Sequence, residues 1–264
     1  MSRIDLTFKR LRKKGQSALI PFIVAGDPDL ETTEALILKM KESGADMIEL
    51  GVPFSDPLAD GPIIRAASHR ALMKGDSLRD IFSLTKRLKR VGLPIILMTY
   101  LHPILHYGLQ VFAKDCKESG VDGVIVPDLA PEEAMSWIDG ARRMDLDTIF
   151  LVNPTSSIER IRLVDRYSRG FIYHASFTGL TGIREKLPDD LELSVKRVKE
   201  NSKKPVVVGF GISNPEQAKI VSRFADGVIV GSAIVKIVDE NIGHPNLISA
   251  VGDFVSSLAK ELRS

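Results

Sequence analysis

Eight short apolar runs recur along this chain, each separated from the next by a segment whose apolar residues fall at helical spacing. They are ALIPFIVAG from Ala18, MIELGVP from Met47, PIILMTY from Pro94, GVIVPD from Gly123, TIFLVN from Thr148, FIYHAS from Phe171, PVVVGFG from Pro205 and GVIVGSA from Gly227. Several are near-continuous Val, Ile and Leu, the pattern of parallel strands covered on both faces. Strand–helix alternation along the whole length implies right-handed crossovers. Eight such strands in about 250 residues is the size of a (β/α)8 TIM barrel. An open doubly wound sheet competes, but no G-x-G-x-x-G follows the first strand.

Helix starts are legible between the runs. Leu36, Ile37 and Met40 form an apolar stripe after Asp27-Pro28-Asp29. Ser77-Leu78-Arg79-Asp80 resembles a capping box with Asp in place of Glu or Gln, and Ser213-Asn214-Pro215-Glu216 reads as a full box. Ile4, Phe8 and Leu11 predict an additional N-terminal helix at 2–13 that could close the barrel floor. The longest gap, between strands 2 and 3, has room for an extra helix around 62–73. The expectation is an α/β chain, 1–264 as one domain, folded as a TIM barrel with that N-terminal helix and extra helices in the βα loops.

Composition excludes several functions. The net charge is +2 over 264 residues, so the whole molecule has no electrostatic case for nucleic acid or anionic membrane. The basic run Lys9-Arg10-Leu11-Arg12-Lys13-Lys14 lacks interleaved aromatics and reads as a solvated helix face. Cys116 is the one cysteine, which rules out an intramolecular disulfide and a cysteine metal cluster; a buried helical thiol is expected. A charged N-terminus without an apolar core, and no run near the ~20 residues of a membrane helix, point to a soluble cytoplasmic protein.

The stretch ELGVPFSDPLADGP at 49–62 concentrates acid and proline directly after a strand. In a barrel, chemistry gathers at the C-terminal ends of the strands. Glu49 at such an end, among Ile48, Leu50 and Val52, would be partly desolvated, with a raised pKa and a proton to trade near neutrality. Asp60, further along a proline-stiffened loop, can differ in environment and divide the acid and base roles. Spacing alone leaves the alternative open that Glu49 pairs with a cation and the aspartates cap turns.

Gly209-Phe210-Gly211-Ile212-Ser213 ends strand 7, and Gly231-Ser232-Ala233 ends strand 8 and opens a helix. Free backbone N–H groups at a helix start, approached closely over glycine, form an anion site, and phosphate-binding barrels use these two loops. Together they favour a phosphorylated ligand; no G-x-x-x-x-G-K-[ST] argues for nucleotide hydrolysis. The loop Ser176–Arg184 holds two glycines and could be a lid or an ordinary loop. No strand run contains a Schiff-base lysine. His102 and His106 have i,i+4 spacing, but Pro103 between them disfavours a regular helix and hence a metal site.

With these stretches in place, the sequence resembles the tryptophan synthase alpha chain family. The matching motifs are ELGVPFSDPLADGP, LMTY followed by HP at 97–103, GLTG at 179–182, GFGIS at 209–213 and GSAIVKI at 231–237. The resemblance implies a lyase that cleaves indole-3-glycerol phosphate to indole and glyceraldehyde 3-phosphate. It implies no cofactor in this chain, and a pyridoxal-phosphate beta subunit joined as an αββα assembly that passes indole through an internal tunnel. It also implies that Glu49 is the principal acid–base group and Asp60 binds the indole N–H. Backbone around Gly182, Gly211, Gly231 and Ser232 would hold phosphate. Phe22, Tyr100, Tyr173 and Phe210 would line the indole pocket, and Thr181 would help orient Asp60. His102, Asn153, His174, Phe177 and Leu180 depart from the family pattern, and strand alternation turns His174 toward the helices. Two other functions remain: a catalytically weak subunit that chiefly activates its partner, and another phosphosugar barrel, which would not account for ELGVPFSDPLADGP.

Overall fold

The computed structural model describes residues 1–176, 181–183 and 186–263. Its strands are β1 (Ala18–Val24), β2 (Ile48–Gly51), β3 (Ile95–Met98), β4 (Gly123–Ile125), β5 (Asp147–Ile149), β6 (Leu151–Val152), β7 (Ile172–Ala175), β8 (Val206–Gly209) and β9 (Gly227–Val230). They form one parallel sheet in the order β5-β4-β3-β2-β1-β9-β8-β7-β6. The two ends of that order, β5 and β6, are separated in the chain only by Phe150, so the sheet closes on itself as a barrel. The eight expected strands are therefore present, with the fifth interrupted at one residue. There the Phe150 N–H turns to Ser168 Oγ at 3.3 Å, while its carbonyl still accepts from Tyr173 at 3.1 Å.

The helices are α1 (Arg3–Lys13), α2 (Leu30–Glu42), α3 (Pro62–Met73), α4 (Leu78–Leu88), α5 (Leu101–Tyr107), α6 (Leu109–Ser119), α7 (Met135–Arg143), α8 (Ile158–Tyr167), α9 (Leu191–Glu200), α10 (Pro215–Ser222), α11 (Ser232–Glu240) and α12 (Leu247–Arg263). Four of them are additional to a one-helix-per-strand plan: α1 before the barrel, and α3, α5 and α11 in the loops after β2, β3 and β9.

Burial separates two apolar layers, as period-2 strands inside a ring of helices require. Leu19, Ile48, Leu50, Leu97 and Val208 face outward against α2, α4, α6 and their successors. Ile20, Phe22, Ile96, Ile125, Tyr173, Val207 and Ile229 fill the interior. Helix α1 closes the floor with Ile4, Phe8 and Leu11, and Phe8 meets Phe171 edge-on at 5.9 Å. Ser2 and Asp5 close a capping box at its start, while the basic run faces outward. Cys116 is buried on α6.

Two local expectations need correction. The Ser77–Asp80 box forms, but α10 is capped by Asn214, whose side chain accepts the Gln217 N–H at 2.8 Å; Ser213 and Glu216 do not make the expected box. The hydrogen-bonding amide thus lies one residue further on. Helix α5 also runs through Pro103, because proline stands there in the first turn, where its missing N–H has no intrahelical acceptor to lose.

Candidate active site

Glu49 is the one charged side chain of β2, and the sheet register decides where it points. It lies opposite Phe22 of β1 and Ile96 of β3, both interior residues, so its carboxyl enters the barrel while Ile48 and Leu50 face the helices. It is 3% exposed, and its Oε2 has no hydrogen-bond partner among the described residues. Loss of water, reinforced by the charge of Asp60, pushes its pKa from 4.5 up to about 8. A buried carboxyl oxygen left unpaired is costly unless a ligand completes it.

Asp60 is buried in the loop between β2 and α3. Its Oδ2 accepts from the Tyr100 hydroxyl at 3.0 Å, and that hydroxyl accepts the Ala59 N–H at 3.1 Å. Burial raises its pKa to about 6, opposed by the Tyr100 hydrogen bond and the positive charge of Arg65. Thr181, from the loop after β7, clasps both neighbours of Asp60. Its N–H donates to Ala59 O at 3.1 Å and its Oγ1 accepts the Gly61 N–H at 2.7 Å. Thr181 therefore acts on residue 60 through the flanking backbone. A Cβ on Gly61 would stand 1.9 Å from the Thr181 carbonyl oxygen, so only glycine permits this approach.

Glu49 shares its cavity with the turns after β8 and β9. Phe22, Glu49, Tyr173, Thr181, Gly182, Phe210, Gly211, Gly231 and Ser232 line it. Phe210 and Gly211 both have positive φ, 71° and 75°, and the Phe210 ring meets Tyr173 edge-on at 5.8 Å. Ile183 bridges to Gly211 and brings Gly182 to the same wall. Gly231 precedes α11 without a side-chain cap, so the first N–H groups of that helix lack intrahelical acceptors and favour an anion. Of the sequence-selected residues, Asp60 and Tyr100 are the two outside this lining; they meet each other beside it. Ile64, Met98, Ile212 and Ile229 also line the cavity and were not singled out. Ile64, Met98 and Ile229 signal only an interior phase on a strand or helix, which they share with ordinary core residues, and Ile212 sits in the turn between β8 and α10.

Three of the residues that depart from the family pattern have local explanations. His174 faces outward, its Nε2 at 2.8 Å from Ser194 Oγ on α9, and burial lowers its pKa to about 4. Asn153 Oδ1 accepts from Thr155 N–H at 3.1 Å and Thr155 Oγ1 at 2.9 Å, closing a turn after β6. His102 stacks between Phe54 and His106, at centroid distances of 5.9 and 6.5 Å. Phe177 and Leu180, with Thr178, Gly179 and Arg184 of the proposed lid, lie outside the described residues. Among the described residues no three His, Cys, Asp or Glu side chains converge as metal ligands, and no helix is long and apolar enough to cross a membrane.

A family model described as "Tryptophan synthase alpha chain" matches residues 8–260. The chain belongs to the tryptophan synthase alpha chain family. It is 51% identical over 259 residues to the tryptophan synthase alpha chain of Geotalea uraniireducens, covering 98% of this chain and 97% of that one. It is 44% identical over 263 residues to that of a Thermoanaerobacter species, covering 99% and 100%. Its fold is similar to a structure of Mycobacterium tuberculosis tryptophan synthase (TM-score 0.92, 38% identity, 100% and 99% coverage). The alpha subunit from Legionella pneumophila gives TM-score 0.92, 37% identity, and 99% and 98% coverage. Tryptophan synthase alpha chains are lyases of tryptophan biosynthesis that cleave indole-3-glycerol phosphate. They use no cofactor of their own; pyridoxal phosphate belongs to the beta subunit with which the family pairs.

Proposed function

We propose that Glu49 and Asp60 divide the proton work of indole-3-glycerol phosphate cleavage in this chain. The observation that carries this is their placement: a buried Glu49 with pKa near 8 on a cavity that also holds the uncapped start of α11, and a buried Asp60 with pKa near 6 next to that cavity, its charge acting on Glu49. Near neutrality Glu49 holds a proton and Asp60 is ionised. Asp60 accepts a hydrogen bond from the indole N–H as the ring becomes an indolenine. Glu49 gives its proton to indole C3 and then takes the proton of the adjacent glycerol hydroxyl. The electrons of that O–H bond form the aldehyde C=O, and those of the C–C bond return to the ring as indole leaves. The glutamate ends as it began, so the cycle needs no net proton, metal or Schiff base.

Phe22, Tyr173 and Phe210, with Tyr100 behind Asp60, would hold the indole. The backbone at Gly182, Gly211, Gly231 and Ser232 would grip the phosphate, and Thr181 would hold the Asp60 loop against the far wall. We read residues 1–264 as one cytoplasmic domain that joins the beta subunit in an αββα heterotetramer with an internal tunnel for indole. The loops after β2 and β3 suit docking: Leu58, Leu105 and Val111 are 74%, 57% and 52% exposed there, beside an open groove lined by Pro53, His106 and Tyr107.

The test is release of indole from indole-3-glycerol phosphate by the purified chain, with and without a beta subunit. Indole under either condition is expected. None under both would end the lyase assignment for this chain and leave a ligand-binding activator.

A further inference from the structure

Arg70, near the end of α3, holds two acids from different parts of the barrel with one guanidinium. Its Nε and Nη2 donate to the two carboxyl oxygens of Asp27 at 2.8 and 3.0 Å, and its Nη1 lies 2.6 Å from Asp239 Oδ1. Asp27 is buried in the turn after β1, whereas Asp239 is half exposed near the end of α11. The guanidinium meets Asp27 through a bidentate fork and still has a further nitrogen for Asp239, a rigid planar geometry that the point charge of an ammonium does not reproduce.

Helices α3 and α11 pack against each other, and both begin at the cavity. Helix α3 starts two residues after Asp60 and lines the cavity with Ile64; α11 starts at Ser232, where the anion site lies. Asp239 is about 10 Å along the helix from Ser232 at 1.5 Å per residue. One side chain, remote from the chemistry, therefore ties the far ends of the two rods whose near ends carry opposite halves of the site.

We propose that Arg70 is a positioning residue: it locks α3 to α11, so that the Asp60 loop and the anion-binding helix start keep a fixed separation across the cavity. This rests on the cavity being the site of indole-3-glycerol phosphate cleavage. Asp239 is the informative leg, because the lock and simple electrostatics give opposite signs for it. Removing a negative charge near the C-terminus of α11 should favour the helix and strengthen anion binding. Removing a leg of the lock should weaken it.

The experiment measures glycerol 3-phosphate affinity by calorimetry, together with kcat and KM for cleavage, on the full chain and on Asp239→Asn, Arg70→Lys and Arg70→Met. Asp239→Asn is expected to weaken glycerol 3-phosphate by about three- to tenfold, the size of effect seen when a contact remote from a ligand is broken. It should lower kcat and raise KM, with little change in melting temperature because the Asp239 leg is half exposed. Arg70→Lys should fall between the unaltered chain and Arg70→Met, and adding Asp239→Asn to Arg70→Met should cost nothing further. Affinity in Asp239→Asn equal to or tighter than the unaltered chain, with normal kcat, would overturn the lock. That result, alongside a Glu49→Gln variant that has lost turnover, would leave the site assignment standing. If glycerol 3-phosphate does not bind the unaltered chain, the cavity assignment and the lock fall together.

Discussion

Glu49 and Asp60 are both buried, and burial, reinforced for Glu49 by the charge of Asp60, raises their pKa values to about 8 and about 6. Cleavage as proposed needs Glu49 protonated and Asp60 ionised. The profile of kcat/KM against pH is therefore expected to be bell-shaped, with an acid limb near pH 6 and a basic limb near pH 8. Because the carboxyls interact, these limbs belong to the pair. Steady-state rates between pH 5 and 9 test this; a flat profile across the window removes the division of roles.

Glu49→Gln preserves shape and removes the exchangeable proton. Turnover should fall by about a hundredfold to ten-thousandfold, the usual contribution of a placed acid–base group. Affinity for glycerol 3-phosphate should persist, because the main-chain donors are untouched. Near-normal indole release from this variant would show that another group moves the proton.

The same substitution has a stability signature of definite sign. The folded-state pKa of Glu49 is raised from 4.5 to about 8, so between those values the folded chain holds a proton that the unfolded chain has released. Stability from this group is intact below pH 4.5 and declines as pH rises toward 8. Glu49→Gln should remove that decline, a gain on the order of a few kcal/mol at pH 9 relative to pH 5. Denaturant unfolding of both proteins at the two pH values measures it.

Tyr100→Phe removes the hydroxyl that donates to Asp60 Oδ2. A hydrogen bond to the ionised form lowers a pKa, so its loss should raise that of Asp60 and move the acid limb upward by roughly one unit. An unmoved limb would mean that Asp60 does not set it.

Gly211→Val places a β-branched side chain at φ 75°. The left-handed conformation costs such a residue on the order of 1–3 kcal/mol, and the turn beside the proposed anion site should shift. Titration with glycerol 3-phosphate is expected to show weaker binding; unchanged affinity would exclude this turn from the anion site.

Most of the architecture could be read before any coordinates. Near-continuous Val and Ile runs can be satisfied only by strands covered on both faces, and their number and spacing leave the barrel as the economical closure. The floor helix is legible from the helical spacing of Ile4, Phe8 and Leu11, and the extra helix at 62–73 from the length of the gap between the second and third strand runs. Sequence expectation and structure part where one residue of phase matters. Asn214 displaces Ser213 as the cap of α10, and Phe150 breaks the fifth strand although its composition continues the run. Pro103 in sequence argues against a helix, yet it occupies the one turn of α5 that tolerates it.

Residue types and their order along the chain were enough to specify the repeating strand–helix plan, the carboxylates worth watching and the glycine turns suited to an anion, because these depend on local periodicity and backbone freedom. Tertiary structure alone decided that Glu49 enters a dry interior beside Asp60, that Thr181 grips the backbone on either side of Asp60, and that Arg70 reaches both Asp27 and Asp239. Those relationships join residues up to 169 positions apart (Arg70 and Asp239), and desolvation and charge coupling exist only once such residues share the same few ångströms.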